Sequence, residues 1–181
     1  MLQNRNIFII SNVVVVLAIL LVVVDRMETP AAATEASPTG TAEGSFFLTT
    51  SSQSLSVGEQ QTVSLQVRSE IPANTYGTSI TFPPELLRVI EIDYDDSFVD
   101  LWIEEPTFDN ETGLITLAGG SLIEDGFIGE DTLLTFVIEP QQTGAADLIV
   151  DIDNSALHAH DGAGTEIPLA DTSPLSFTIS E

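Results

Sequence analysis

The stretch 79–92 reads SITFPPELLRVIEI and decides the fold. Residues with strand character stand on both sides of a double proline. Because proline lacks the N–H group that a β ladder requires, Pro83 and Pro84 must end the first strand. Apolar residues resume within two positions, so a second strand begins almost at once. We interpret the prolines as a corner at which the chain leaves one sheet for a facing sheet, with Leu86 and Leu87 filling the core beside it.

The rest of the chain from Phe46 onward alternates between apolar and polar residues, which is typical of half-buried antiparallel strands. Segments with this alternation lie at 61–68, 90–94, 134–138, 148–152 and 175–179, and Gly- and Asn-containing turns lie at 56–59, 109–113, 142–144 and 161–164. No window of a dozen residues has the apolar stripe of a helix. Many short strands between such turns predict an all-β protein, an antiparallel β-sandwich or jelly roll.

The N-terminal part of the chain differs from this domain. Residues 7–24 are apolar except for Ser11 and Asn12, and as a helix they would span about 27 Å, close to the thickness of a bilayer core. We therefore predict a transmembrane signal anchor in residues 1–24, a flexible linker rich in Ala, Thr, Ser and Pro in residues 25–45, and the β domain in residues 46–181.

The sequence indicates only weakly how this anchor is oriented in the membrane and whether it is cleaved. Arg5 and the terminal amine precede the apolar run and Arg26 follows it, which favours an N-terminus inside and a domain outside the cell. The alternative is a secreted form cleaved near the small residues Ala31, Ala32 and Ala33.

The charge of the chain limits its partners. Four Arg face 28 Asp and Glu, there is no Lys, and the net charge is −24. Such a surface repels phosphate backbones, so we predict no nucleic-acid binding. The acidic surface either keeps the protein soluble or attracts cations and basic partners. The chain has no Cys, which excludes disulfides and thiol nucleophiles.

The order of short motifs from Leu55 onward resembles the cohesin domain, the receptor module of cellulosomes. Pro84 and Leu87 hold the family's places in the corner, whereas Pro83 stands where the family usually has Asp. The remaining motifs that match in order are Val57-Gly58-Glu59-Gln60-Gln61-Thr62-Val63, Asn110-Glu111-Thr112-Gly113-Leu114-Ile115, Leu133-Leu134-Thr135-Phe136-Val137-Ile138, Gly144-Ala145-Ala146-Asp147-Leu148 and Asp161-Gly162-Ala163-Gly164-Thr165-Glu166-Ile167.

This resemblance implies a nine-stranded jelly roll that binds a dockerin module through one sheet face. It implies no cofactor on this chain, because calcium belongs to the dockerin. The implied partner-binding residues are Thr75, Gly77, Ser79 and Thr81 on the strand before the corner, with Thr116 and Ala118 beside them. Thr75 and Gly77 stand where type I cohesins typically carry Asn and Asp, which argues against a type I dockerin.

Two alternatives to a dockerin receptor remain open. Carbohydrate-binding modules share this architecture, and Tyr94, Trp102 and Phe108 would then stack on sugar rings of a polysaccharide. The competing interpretation is that these aromatic residues cap one end of the core. A structural envelope or adhesion domain is the other alternative. A row of exposed, aligned rings would favour sugar binding, and a flat polar face with Trp102 buried would favour protein binding.

Candidate chemistry elsewhere is weak, and we predict no enzyme and no metal site. The acidic pairs Glu104-Glu105, Glu124-Asp125 and Glu130-Asp131 are expected among 28 acids and are interpreted as solvated charges. The stretch His158-Ala159-His160-Asp161 has metal-ligand residue types but is interpreted as a loop. The acidic stretches 93–96 and 151–154 lack the spacing of a calcium loop. The glycosylation sequence at Asn110 is treated as coincidence.

Overall fold

The computed structural model describes residues 43–181, which form nine β-strands. They are β1 (Gly44–Thr50), β2 (Ser54–Ser56), β3 (Gln61–Thr81), β4 (Leu87–Asp93), β5 (Leu101–Asp109), β6 (Leu114–Gly120), β7 (Phe127–Pro140), β8 (Gly144–Ala159) and β9 (Leu175–Ser180). The predicted β-sandwich class is confirmed over these residues. The anchor predicted for residues 1–24 and the linker as far as residue 42 lie outside the described residues. In the described part, no helix is long and apolar enough to cross a membrane.

Strand β3 belongs to both layers of the sandwich. Its first half, residues 61–69, pairs with β1 and β7, and β4 extends this first layer beside β7. Its second half, residues 73–81, pairs with β6 and β8, and this second layer has the order β2-β9-β8-β3-β6-β5. Register shifts around Pro72 separate the halves. As a result, the buried residues of β3 have odd numbers before Pro72 (63, 65 and 67) and even numbers from Tyr76 onward (76, 78 and 80).

The double-proline corner connects the two layers, as predicted. β3 ends at Thr81 in the second layer, and β4 begins at Leu87 and pairs with β7 in the first. The carbonyl of Pro83 accepts hydrogen bonds from the N–H groups of Leu86 (3.1 Å) and Leu87 (2.9 Å), which makes one tight turn. Leu87 is fully buried and Leu86 is half-buried against the core. The corner therefore fills the core in the way that the sequence indicates.

The turn between β5 and β6 braces this corner. The N–H of Phe82 donates to the carbonyl of Gly113 (2.9 Å). Asp109 holds the turn, because its carboxylate accepts from the N–H of Glu111 and from the hydroxyl of Thr112, both at 2.8 Å. These bonds to Glu111 and Thr112 lower the pKa of Asp109. The ordered turn places Gly113 directly against the backbone that precedes the prolines.

The side chain of Asn110, the residue of the glycosylation sequence, connects the same turn to β4. Its side-chain oxygen accepts from the N–H of Val89 (2.8 Å), and its amide nitrogen donates to the carbonyl of Val89 (2.9 Å). β4 shifts register against β7 between Val89 and Glu91, so the Asn110 carboxamide supplies a partner at an irregular point of the ladder. A sugar on this nitrogen would compete with that bond.

We expect Asn110→Ala to lower the free energy of unfolding by about 1–3 kcal/mol, because it leaves the polar groups of Val89 without their partner in a half-buried site. Urea denaturation followed by far-UV circular dichroism would measure the change. Asn154→Ala is the matched control, since Asn154 is exposed and bonds only to Asp151. Equal midpoints for the two variants would contradict the role assigned to Asn110.

Candidate partner-binding face

The six residues predicted to bind a partner lie on the outer face of the second layer. On β3 the half-buried Thr75, Gly77, Ser79 and Thr81 alternate with buried residues that point into the core. On the neighbouring strand β6, Ala118 pairs with Gly77 and Thr116 pairs with Ser79. The structure thus brings the six positions together on one surface, which we call the β3/β6 face.

The centre of the β3/β6 face is an open depression of about 430 Å³. Its floor is made of small residues, because Gly77, Ala118 and Ala156 lie side by side across three strands. A Cβ atom added at Gly77 would have only ordinary van der Waals neighbours, the nearest being Ala118 Cβ at 3.9 Å. Acidic and polar side chains line the rim: Glu104, Asp153, Asn154 and Glu166. A partner can therefore approach the backbone closely at Gly77.

A bulge in β8 supplies one wall of the depression. β8 pairs with β3 at Asp151 and again at Ala156, and the residues between them are displaced from the ladder. The hydroxyl of Ser155 donates to the carbonyl of Asp151 (2.6 Å) and contacts the hydroxyl of buried Thr78 (2.8 Å). This bulge projects Asp153 and Asn154 to the rim. Sequence alternation does not reveal the wall, because the bulge interrupts the period of two.

The segment interpreted as a loop around the two histidines is partly strand, which corrects the sequence prediction. β8 continues to Ala159 because residues 156–159 pair with the second half of β3. His158 lies opposite Thr75 at one end of the β3/β6 face, and its Nδ1 is buried without a hydrogen-bond partner. His160 instead contacts Asn74, with 3.2 Å between its Nδ1 and the amide nitrogen. Among residues 43–181, no three His, Asp or Glu side chains are grouped as metal ligands.

Asp161 serves the turn that follows β8. Its carboxylate accepts hydrogen bonds from the hydroxyl of Thr165 and from the N–H groups of Ala163 and Gly164. These bonds, above all the one from Thr165, lower the pKa of Asp161 to about 2. The Asp-Gly-x-Gly motif is therefore explained by turn formation, and it positions Glu166 at the rim of the depression.

We expect the Asp161 carboxyl to titrate at about 2, and Thr165→Val to move this pKa upward toward the ordinary value of 3.8. A carboxyl pKa that is lower in the folded than in the unfolded state stabilises the fold above pH 3.8, and this stabilisation disappears as the pH falls toward 2. Carboxyl ¹³C chemical shifts recorded against pH would test both statements. A wild-type midpoint near 3.8 would contradict the hydrogen-bonded turn.

The candidate sugar-stacking residues do not form a flat platform. Trp102 is half-buried against the core and meets Tyr94 edge to face, with ring centroids 5.3 Å apart and planes at 70°. Phe108 lies on β5 and is 38% exposed. Phe98 packs 5.2 Å from Tyr76 inside the sandwich. Capping of the core explains Tyr94, Phe98 and Trp102 better than a row of parallel rings does.

The charged side chains that line the depression of the β3/β6 face, Glu104, Asp153 and Glu166, are all acidic. The described residues contain two Arg, Arg68 and Arg88, and both form ion pairs on the other layer, with Glu130 and Glu139. The acidic pairs at 104–105, 124–125 and 130–131 are exposed, as expected for solvated charges. A glycosidase acid requires a raised pKa, whereas within residues 43–181 the carboxyl pKa values that shift, those of Asp109, Glu139 and Asp161, are all lowered by hydrogen bonds.

Comparison with known proteins identifies this architecture. No protein-family model matches the sequence, and no curated protein matches it either. Among solved structures, a cohesin module from a Clostridium perfringens family 33 glycoside hydrolase is 17% identical, with a TM-score of 0.62 over 78% of this chain and 99% of that one. The cohesin of a type I cohesin–dockerin complex from Clostridium thermocellum is 10% identical, with a TM-score of 0.59 over 78% of this chain and 97% of that one. A non-cellulosomal cohesin from Archaeoglobus fulgidus is 13% identical, with a TM-score of 0.58 over 76% of this chain and 92% of that one.

Proposed function

We propose that this chain, whose described domain has the cohesin fold, is a non-catalytic receptor module that binds a dockerin-bearing protein on the β3/β6 face. The observation that carries the proposal is the depression on that face. It has a floor of Gly77, Ala118 and Ala156, and it is open enough for a partner's side chains to reach the sheet backbone. A less polar centre surrounded by a polar rim is the usual arrangement of a protein–protein interface.

The solved cohesins support the choice of partner. The Clostridium thermocellum cohesin was solved in complex with a dockerin, and so was a type II cohesin of Acetivibrio cellulolyticus. By analogy, calcium would be held by the dockerin and this chain would need no cofactor. Thr75 and Gly77 replace the Asn and Asp expected for a type I partner, so the specificity of this face must come from other groups.

We assign that specificity to the acidic rim. Glu104 stands on one side of the depression, and Asp153 and Glu166 stand on the other. No Lys or Arg lies on β3 after Pro72, on β5, on β6 or on β8. A partner with Lys or Arg around its contact surface would be attracted from a distance and oriented on arrival, and the attraction would weaken with salt.

The location of the module is part of the proposal and rests on sequence alone. Residues 7–24 would anchor the chain in the membrane, with the N-terminus inside and the domain outside the cell, unless cleavage releases a secreted form. Any degradation of a polysaccharide would be performed by the recruited protein. Carbohydrate binding is the less favoured alternative, since the Tyr94 and Trp102 rings are not coplanar.

A capture experiment tests the proposal. Full-length protein is immobilised, extract of the source organism is passed over it with calcium, and bound proteins are eluted with EDTA and identified by mass spectrometry. We expect a protein with duplicated calcium loops in the eluate. An eluate without such a protein, together with retention of the full-length chain on cellulose or another glycan, would overturn the receptor assignment in favour of sugar binding.

A further inference from the structure

One corner of the domain presents four aliphatic side chains to solvent. The exposed fractions are 60% for Leu101, 72% for Ile103, 79% for Leu122 and 39% for Ile123. Leu101 and Ile103 belong to the start of β5, and the other two belong to the loop between β6 and β7. We call these four residues the apolar corner. Single exposed aliphatic residues are common on proteins, but a group of them on a strongly acidic surface requires an explanation.

The two halves of the apolar corner are joined by hydrogen bonds. The N–H of Asp100 donates to the carbonyl of Gly120 (3.0 Å), and the Asp100 carboxylate accepts from the N–H of Leu122 (2.7 Å). Leu101 pairs with Gly120 in the ladder between β5 and β6. Asp100 therefore holds the chain at Leu122 beside the chain at Leu101.

The loop that carries Leu122 is fixed to the core. The N–H of Ser121 donates to the carbonyl of Asn74 (3.0 Å), and its hydroxyl lies 3.1 Å from the hydroxyl of fully buried Tyr76. The N–H of Gly126 donates to the carbonyl of Ile123 (2.9 Å), and this hydrogen bond closes the loop. Because these anchors lie on both sides of Leu122, the fold holds this side chain in an outward position. A partner would find the apolar corner already ordered, which reduces the entropy lost on binding.

Carboxylates flank the apolar corner in the sequence. Asp100 precedes Leu101, Glu104 and Glu105 follow Ile103, and Glu124 and Asp125 follow Ile123; residues 100–126 contain no Lys or Arg. A second copy of the chain would bring the same carboxylates and be repelled, as would an anionic membrane surface. The complementary occupant combines aliphatic side chains with nearby positive charges.

We propose that the apolar corner is a docking site for a protein segment that carries aliphatic side chains flanked by Lys or Arg. Gly120 connects this site with the β3/β6 face, since it pairs with Thr75 on one side and with Leu101 on the other. The inference rests on the proposed function in placing that segment on the same partner. It adds a chemical requirement, an apolar and basic patch at one end of the partner's contact surface.

Random peptides displayed on phage, selected on the full-length protein at low salt, test the inference without a dockerin. We expect enrichment of peptides that combine aliphatic residues with Lys or Arg. Synthetic copies should bind the double variant Leu101→Ser/Leu122→Ser at least about ten-fold more weakly than the wild type, because burial of both leucines is lost. Trp102 is the sole Trp of the chain and adjoins Leu101, so its fluorescence should change on binding.

The control variant is Val57→Ser, which removes an aliphatic residue that is 43% exposed from the turn after β2 and should leave the affinity unchanged. Absence of enrichment, enriched peptides without basic residues, or equal binding to the double variant would each overturn the docking site. Failure of the proposed function would be detected separately, in the capture experiment, as an eluate that contains no protein with duplicated calcium loops. Peptide binding at the apolar corner should persist in Gly77→Gln, a variant of the β3/β6 face.

Discussion

Gly113→Ala is expected to lower the free energy of unfolding by about 2–5 kcal/mol. Two costs combine at this position. Gly113 has a φ of +71°, which costs an L-residue about 1–2 kcal/mol. A Cβ atom here would also lie 2.1 Å from the carbonyl oxygen of Phe82 and 2.9 Å from Cδ of Pro84. Backbone and a proline ring cannot move aside cheaply, and overpacking of this kind costs about 1–3 kcal/mol.

Gly58→Ala separates these two costs. Gly58 has a similar φ of +80°, but a Cβ atom there would meet nothing within 4 Å. We expect this control to lose only the conformational cost, about 1–2 kcal/mol. Chemical denaturation of both variants in the same buffer provides the comparison. Equal losses would show that the turn between β5 and β6 does not press on the double-proline corner.

Gly77→Gln is expected to weaken partner binding by about 30–100-fold while leaving stability nearly unchanged, as for the loss of one interface hot spot. The new side chain would fill the depression above Ala118 and Ala156, and a partner would then be held away from the sheet. Stability should be retained because the Cβ position at Gly77 is open and a side chain suits a strand better than glycine does. Titration of the captured partner against the immobilised protein measures the affinity.

Ser64→Gln is the matched control for the face. Ser64 lies on the same strand β3, pairs with Thr49 and Thr135, and belongs to the outer face of the first layer. The same side chain placed there should leave the affinity at the wild-type value. If Gly77→Gln binds as tightly as Ser64→Gln, the partner does not use the depression and the proposed face is wrong.

The sequence was sufficient to predict the corner between the layers but not the continuity of β3. Pro83 and Pro84 interrupt a ladder visibly, so the change of sheet could be placed within a few residues. Near Pro72 the apolar alternation changes phase, which makes one strand look like two. The backbone nevertheless continues as a strand, because its partners on β6, β7 and β8 are at least 33 residues away in sequence (114 − 81 = 33 for the nearest pair, Thr81 and Leu114).

The candidate face was predictable only along its central strands. Thr75, Gly77, Ser79 and Thr81 follow from the resemblance to cohesins, by alignment to the corner at Pro84 and Leu87. The rim residues depend on long-range geometry: Asp153 on a bulge, Glu166 on a turn held by Asp161, and Glu104 on an edge strand. β5 escaped prediction because it is buried at so few positions that no alternation marks it.

The double membership of β3 also determines how the domain carries mechanical load. A pull on the chain at its N-terminal side enters through β1, whose seven residues are paired with the first half of β3. A pull from a partner bound at the proposed β3/β6 face would enter through the second half of the same strand. Tension between the two points then runs along one covalent backbone and does not have to cross the packed interface between the layers. We therefore expect a pull in this direction to load the hydrogen bonds between β1 and β3 before it separates the sheets.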